Sequence, residues 1–261
     1  MGRKNYSGLM EFTYKSYEIM LKKIRDKGYS FKSYENWSEE KRTVILRHDV
    51  DFDLEKAVRV SDIEMENDIE GATYFLLLST NFYNIHSRES RQYIERIINN
   101  GGNIGLHFDE MQYVISDEKE MSEYVYKEIE ILEKIIDTKV GVVSMHRPSE
   151  KIISGNIKID GVINSYSDTF FKEMKYLSDS RRYWRENIDE ILEGSEVYER
   201  FHILTHPFWY KEEEKSLKHT LMEAVLGESL SFWDNMSKNF RDLESELSRD
   251  EIERVINVGW S

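Results

Sequence analysis

The segment Arg47-His48-Asp49-Val50-Asp51 sets two carboxylates two residues apart, and on a strand that spacing turns both to one face. Two like charges that close cost free energy unless a cation or a shared proton compensates. The pattern therefore points to a metal or acid–base site. Further on, His107 and Asp109 follow the apolar run Asn103–Leu106, His146 and Arg147 follow Val140–Met145, and His206 follows Phe201–Thr205. The chain's two prolines come directly after Arg147 and His206. Proline disfavours the α region for the residue before it, so these two side chains leave their strands in a fixed direction. The 261 residues include no cysteine, which excludes disulfides, thiolate metal sites and a Cys nucleophile. Any metal here must sit on His, Asp or Glu.

Other residues of these types read differently. His48 turns to the opposite face from Asp49, which favours a core role, and Asp53 stands where a helix cap belongs, just before Leu54. His202 faces away from His206's neighbours or packs within its strand, His219 is solvated, and His86 lies past the second strand with no role assigned. Tyr166, Trp184, Phe208, Trp209 and Tyr210, near strand ends, suit either stacking on a sugar ring or covering a barrel mouth.

The elements that must position these groups follow from hydrophobic periodicity. Short apolar runs at Val44–Arg47, Gly71–Leu78, Asn103–Phe108, Val140–Met145, Gly161–Tyr166, Tyr176–Asp179 and Phe201–Thr205 predict seven strands. Helix-period stretches lie between them at Leu54–Asn67, Glu89–Asn99, Glu118–Ile136 and Arg182–Leu192. A helix over Leu9–Asp26 precedes the first strand, and a helical tail over Leu217–Val258 follows the last. Strands alternating with helices predict an α/β fold with a parallel sheet, and seven of them suit a distorted parallel (β/α) barrel with extra N- and C-terminal helices. The expected organisation is a single domain over 1–261, with a catalytic core of 43–210 and a helical tail of 211–261. In a parallel barrel the C-terminal strand ends converge on one face, and active sites form there. Asp49, Asp51, His107, Asp109, His146, Arg147, Tyr166, Asp179 and His206 all fall at those ends.

The balance of 36 Lys+Arg against 50 Asp+Glu gives a net charge of −14, which argues against nucleic acid as a partner. No apolar run approaches the ~20 residues of a membrane span. Met1–Met20 is interrupted by Arg3, Lys4, Glu11, Lys15 and Glu18, so it holds no signal-peptide core. The expectation is a soluble, cytoplasmic protein, with no oligomeric state implied.

Taken together, these motifs resemble the NodB-type polysaccharide deacetylases, carbohydrate esterase family four. The family's aspartate pair is matched by Asp49 and Asp51, its His after an Ile-Gly run by His107, its Arg-Pro by Arg147-Pro148, and its Leu-x-His by Leu204-Thr205-His206. Asp179 with Trp184 is similar to a further motif. The resemblance implies a divalent metal, most commonly zinc, held by Asp51 and His107. It also implies Asp49 as general base, Arg147 pairing with that base, and His206 as the acid. Val50 separates aspartates that the family keeps adjacent, and Met111 stands where the family has a second metal-binding His. The third ligand is therefore His146 or Asp109, with His146 preferred because imidazole is a common zinc ligand. Tyr166, Asp179, Trp184 and Trp209 are the expected substrate contacts. Within the family, His-Asp-Val-Asp, Gly-Leu-His-Phe-Asp, His-Arg-Pro-Ser and Thr-His-Pro-Phe-Trp look like the WbmS-like branch associated with surface-polysaccharide loci. The activity implied is removal of an acetyl group from an N-acetylated sugar. The alternative is a catalytically inactive member of the fold that binds a glycan or a partner.

Overall fold

Strand β2 (Thr43–Val50) is buried along its whole length, and its alternation divides the core. Val44, Leu46 and Val50 face the helices, while Ile45 joins Tyr34, Phe75, Val142, Phe170 and Met174 in a separate inner cluster. Arg47 and Asp49 share the parity of Ile45, so a buried ion pair stands on the inner side of the sheet. The structure, a computed structural model, describes residues 10–194 and 198–258. The remaining strands are β1 (Ser30–Phe31), β3 (Thr73–Leu76), β4 (Asn103–Phe108), β5 (Val142–Met145), β6 (Ile163–Asn164), β7 (Lys175–Ser178) and β8 (Arg200–Thr205). All pairings are parallel, in the order β6-β5-β4-β3-β2-β8-β7, with β1 added beside β2. Seven strands thus form a curled, distorted barrel sheet, and the two-residue β1 is an addition to the seven expected.

The helices are α1 (Tyr14–Asp26), α2 (Leu54–Glu66), α3 (Arg88–Asn99), α4 (Glu118–Ile136), α5 (Glu150–Gly155), α6 (Ile188–Glu193), α7 (Leu217–Ser237), α8 (Leu243–Glu246) and α9 (Arg249–Val258). Thr13, Asp53, Ser87 and Asp117 start the first four by accepting a hydrogen bond from a backbone N–H of the first turn. The residues from Glu214 onward form a compact unit of their own, apart from the unit that ends at Glu213. No helix among the described residues is long and apolar enough to cross a membrane.

Several expected elements differ in extent; Gly71–Leu78 and Gly161–Tyr166, for instance, shorten to β3 and β6. β2 continues past Arg47 to Val50, because the Arg47–Asp49 pair neutralises the charges that reading a strand as apolar would place outside it. The expected helix over Arg182–Leu192 shrinks to α6, since Arg181 and Arg182 take left-handed backbone angles (φ 62° and 54°) and Asn187 supplies the helix cap. The expected helical tail over Leu217–Val258 is present as α7, α8 and α9. At the other end, Leu9, the expected start of the first helix, lies outside the described residues.

Gly105 shows how tightly β4 is set against its neighbour. A Cβ there would lie 2.5 Å from the Phe75 ring, which occupies the inner cluster one strand away. Gly105→Ala is expected to destabilise the fold by about 1–3 kcal/mol, the usual cost of overpacking a filled core. A thermal melt of the variant measures this, and an unchanged melting temperature would show that Phe75 can move aside.

Candidate active site and metal centre

Three donor atoms from three strand ends meet at the barrel mouth. Asp51 Oδ1 lies 3.2 Å from His107 Nε2 and 3.1 Å from His146 Nδ1, and the two ring nitrogens are 3.2 Å apart. Asp51 follows β2, His107 belongs to β4 and His146 follows β5, so parallel register alone brings them together. Donors bound tetrahedrally at zinc distances of 2.0–2.1 Å stand about 3.3 Å from one another. The nearly equilateral triangle fits one face of such a shell. Asp51 Oδ1 is also buried without a hydrogen bond of acceptable geometry, despite its two imidazole neighbours. A carboxylate oxygen aimed between two ring nitrogens in this way suits a cation better than it suits a proton. These are the only three described residues that group in this manner, and the donor set, two imidazoles and a carboxylate, suits zinc.

The surrounding groups hold the ligands in place. His107 Nδ1 lies 3.0 Å from Ser144 Oγ, its register partner on β5, and donation from Nδ1–H leaves Nε2 the lone pair that a metal needs. Ser144 Oγ also accepts from Arg47 Nη2. Burial pushes the Asp51 carboxyl upward, but the contacts with His107 and His146 hold it below the usual range.

Asp49 lies next to this triangle, its Oδ2 3.6 Å from His107 Nε2. Arg47 grips it with two parallel bonds, Nε to Oδ1 at 2.8 Å and Nη2 to Oδ2 at 2.9 Å. Burial favours the neutral acid, but the guanidinium two residues away prevails and keeps Asp49 ionised. Arg47 is itself fully buried and stacks under Tyr166, 4.8 Å from the ring centre. Arg147, the arginine expected to pair with the base, goes elsewhere. Its guanidinium binds Asp109, and its side chain is 56% exposed. The reason is position: Arg147 lies past the end of β5, whereas Arg47 is two residues before Asp49 on the same inner face. That period-two spacing was visible in the sequence and is the signal that identifies Arg47.

The same contacts separate the two candidates for third ligand. Asp109 is occupied by Arg147, Gln112 and the Met111 backbone N–H, whereas His146 completes the triangle. Met111 itself is 67% exposed on a short 3-10 turn, so no ligand is lost from the inner shell at its position.

His206, at the end of β8, places Nδ1 2.6 Å from Asp179 Oδ1, and its backbone N–H also donates to that carboxylate. Burial drives the imidazole toward neutrality. The Asp179 charge, with help from Asp49 and Asp51, outweighs this and lifts its pKa to about 9. With Nδ1 engaged, Nε2 carries the proton that His206 can give.

Two of the expected substrate contacts are corrected. Asp179 is fully enclosed and serves as the His206 partner, and Trp184 is buried in the main core. Neither presents a surface to a ligand. Tyr166 is largely covered because its ring roofs Arg47, while Trp209, 6.5 Å from the His206 ring, is only partly buried. Phe52 and Phe82, 4.6 Å apart, join Phe208 in an aromatic wall beyond Asp51, and neither shows a sequence pattern that marks it. His48 and His202 are core residues as their parity implies. His48 bonds Glu64 and Thr205, and His202 bonds Tyr34 and the Phe170 carbonyl. His86 is exposed, and His219 pairs with Glu223 on α7.

Neither a family model nor a curated protein matches the chain. Among solved structures it is similar to BA3943 from Bacillus anthracis, described as a CE4 family pseudoenzyme. The two share 15% identity over 76% of this chain and 64% of that one, with a TM-score of 0.41. The chain therefore spans less than two thirds of that protein's length. It is also similar to the chitin deacetylase of the fungal pathogen Colletotrichum lindemuthianum, at 16% identity over 76% of this chain and 85% of that one (TM-score 0.45). A third likeness is to the Streptococcus pyogenes deacetylase PplD, at 15% identity over 73% of this chain and 80% of that one (TM-score 0.41). Likenesses this distant carry no chemistry across to the chain.

Proposed function

We propose that the chain is a metal-dependent hydrolase that removes an acetyl group from an N-acetylated sugar during assembly of a cell-surface polysaccharide. The observation that carries this reading is the Asp51–His107–His146 triangle, with an ionised carboxylate, Asp49, against one side of it. Bound there, a divalent cation such as zinc would supply positive charge that acidifies water and polarises an acetyl carbonyl. Asp49 accepts the water's proton on Oδ2, the oxygen that faces the ligands, while Arg47 fixes the carboxylate's direction. His206 delivers the Nε2 proton to the departing amine, and Asp179 keeps that proton in place at neutral pH. An amide nitrogen does not leave as an anion under such conditions, so a base without this acid would stall. Arg147 orients the β4 loop through Asp109 rather than orienting the base. The protein is taken to act in the cytoplasm as a single catalytic domain over 1–261, with the residues after 210 as a helical appendage.

Elemental analysis and acetate release test the reading together. Asp51→Ala, His107→Ala and His146→Ala should each sharply lower zinc stoichiometry, and the parent protein should release acetate from N-acetylated sugars. Full metal occupancy in all three variants would refute the ligand set. Metal binding without acetate release from any N-acetylated sugar would favour the glycan-binding alternative.

A further inference from the structure

Strand β3 lies between the strands that carry the candidate metal ligands, yet it supplies no donor itself. The loop that follows it, residues 77–87, is instead fastened to the segment that holds Asp51. β2 and β3 last pair at Val50 and Leu76, so Asp51 stands one residue past the end of that ladder. There, three side chains of the loop take hold of three consecutive residues. The Tyr83 hydroxyl donates to the Val50 carbonyl at 2.8 Å and accepts from the Leu77 N–H at 2.9 Å, so one phenolic oxygen joins the ends of the two strands. Thr80 Oγ1 donates to the Asp51 carbonyl at 2.9 Å and accepts from the Phe82 N–H at 3.2 Å. The Phe82 ring packs 4.6 Å from that of Phe52. On the far side of Asp51 the chain is held again, because Asp53 caps α2 by accepting from the Lys56 N–H.

The two other kinds of support in this site differ from this one. His107 is oriented through its side chain, by Ser144 Oγ. Asp51 Oδ1 has no such hydrogen-bond partner, so the direction of the Asp51 carboxylate depends on the main chain that carries it. We propose that Thr80 and Tyr83 are positioning residues of the metal centre: by fixing the carbonyls of Asp51 and Val50 they aim the Asp51 carboxylate, and they thereby raise the affinity of the site for a divalent cation. The inference rests on the Asp51–His107–His146 ligand set and adds two residues that touch neither cation nor substrate. A donor whose main chain is already fixed loses less conformational freedom when a cation binds, and its oxygen stands where the two imidazoles require it. Strand β3 thus contributes to the centre through its loop, although it contributes no ligand.

Zinc affinity of the full chain, measured by competition with a chromophoric chelator, tests the two hydroxyls directly. Thr80→Val and Tyr83→Phe each remove one hydroxyl and keep the rest of the side chain's shape. Each should weaken zinc binding by about tenfold or more, the usual effect of changing a group that orients a ligand. Thr80→Ser keeps the donor and should bind zinc as the parent does. Melting of the metal-free proteins is read in parallel. Metal-free Thr80→Val should melt with the parent and gain less from added zinc. Parent affinity in both Thr80→Val and Tyr83→Phe overturns the inference, as does a Thr80→Ser protein that falls as far as Thr80→Val. Weakened binding matched in both variants by a lower melting temperature of the metal-free protein also overturns it, since the hydroxyls would then hold the fold rather than the ligand. A parent that binds no zinc, or whose zinc binding survives Asp51→Ala, fails the ligand set and the inference with it. Zinc binding that requires Asp51 but neither hydroxyl fails the inference alone.

Discussion

Asp49→Asn is expected to keep its metal and to lose turnover by about 10²–10⁴-fold, the usual worth of a positioned general base. Asparagine retains the shape of the side chain and, through its one oxygen, a single bond from Arg47, but offers no site for a proton. Asp51→Asn should instead lose its metal, and turnover with it, because Asp51 Oδ1 is an apex of the donor triangle whereas Asp49 Oδ2 is 3.6 Å from its nearest member. Zinc content by elemental analysis and turnover measured on the same preparations separate the two roles. Loss of metal with Asp49→Asn and retention with Asp51→Asn would exchange them. Near-normal turnover in a metal-replete Asp49→Asn protein would end the proposed mechanism at its first step.

The second large effect concerns the acid. His206→Ala should reduce turnover by about 10²–10⁴-fold on an amide substrate. It should cost much less on an activated ester, whose leaving group needs no proton. The pH profile carries a distinct signature. His206 is raised to about 9 in the folded protein, so the protonated acid is present below that pH and is lost as pH rises through it. The alkaline limb of the rate profile should therefore lie near pH 9. By linkage, the stabilisation from charged His206 is complete below the ordinary histidine range and fades between that range and about pH 9. Asp179→Asn removes the dominant attraction and leaves only Asp49 and Asp51 to oppose burial, which favours the neutral ring. In that variant the limb should move to lower pH. An unmoved limb would mean that another group controls it.

Arg47 links the two halves of the site. It is fully buried and holds Asp49 through two bonds and Ser144 through a third, and Ser144 in turn meets His107. Base and metal ligand thus share one internal cation. A buried guanidinium is retained at such a point because removing it would strand the Asp49 carboxylate in a low-dielectric interior.

Much of this was already present in the residue pattern. Hydrophobic alternation located all seven barrel strands, and one predicted span, Asn103–Phe108, matches β4 residue for residue. The pattern also brought Asp51, His107 and His146 to strand ends, because in a parallel sheet the order of the strands alone decides which ends share a face. Partnership was not local in this sense. Arg47 and Arg147 are both arginines near a strand end; period-two spacing places the first on the face of Asp49, but only the folded sheet shows that the second turns outward to Asp109. Asp179 and Trp184 looked like rim residues because exposure is a property of what packs over a side chain, and the covering groups come from distant parts of the chain. The bent path of Ser180–Arg185 escaped helix periodicity for a related reason: two left-handed residues are imposed by anchors on either side of them, not by their own preference. Residue type and period therefore determined the chemistry available and the face that carries it. Outside the local Arg47–Asp49 pair, long-range packing decided which charge neutralises which, because a side chain's partner is set by three-dimensional contact and by the energetic cost of leaving a buried charge unpaired.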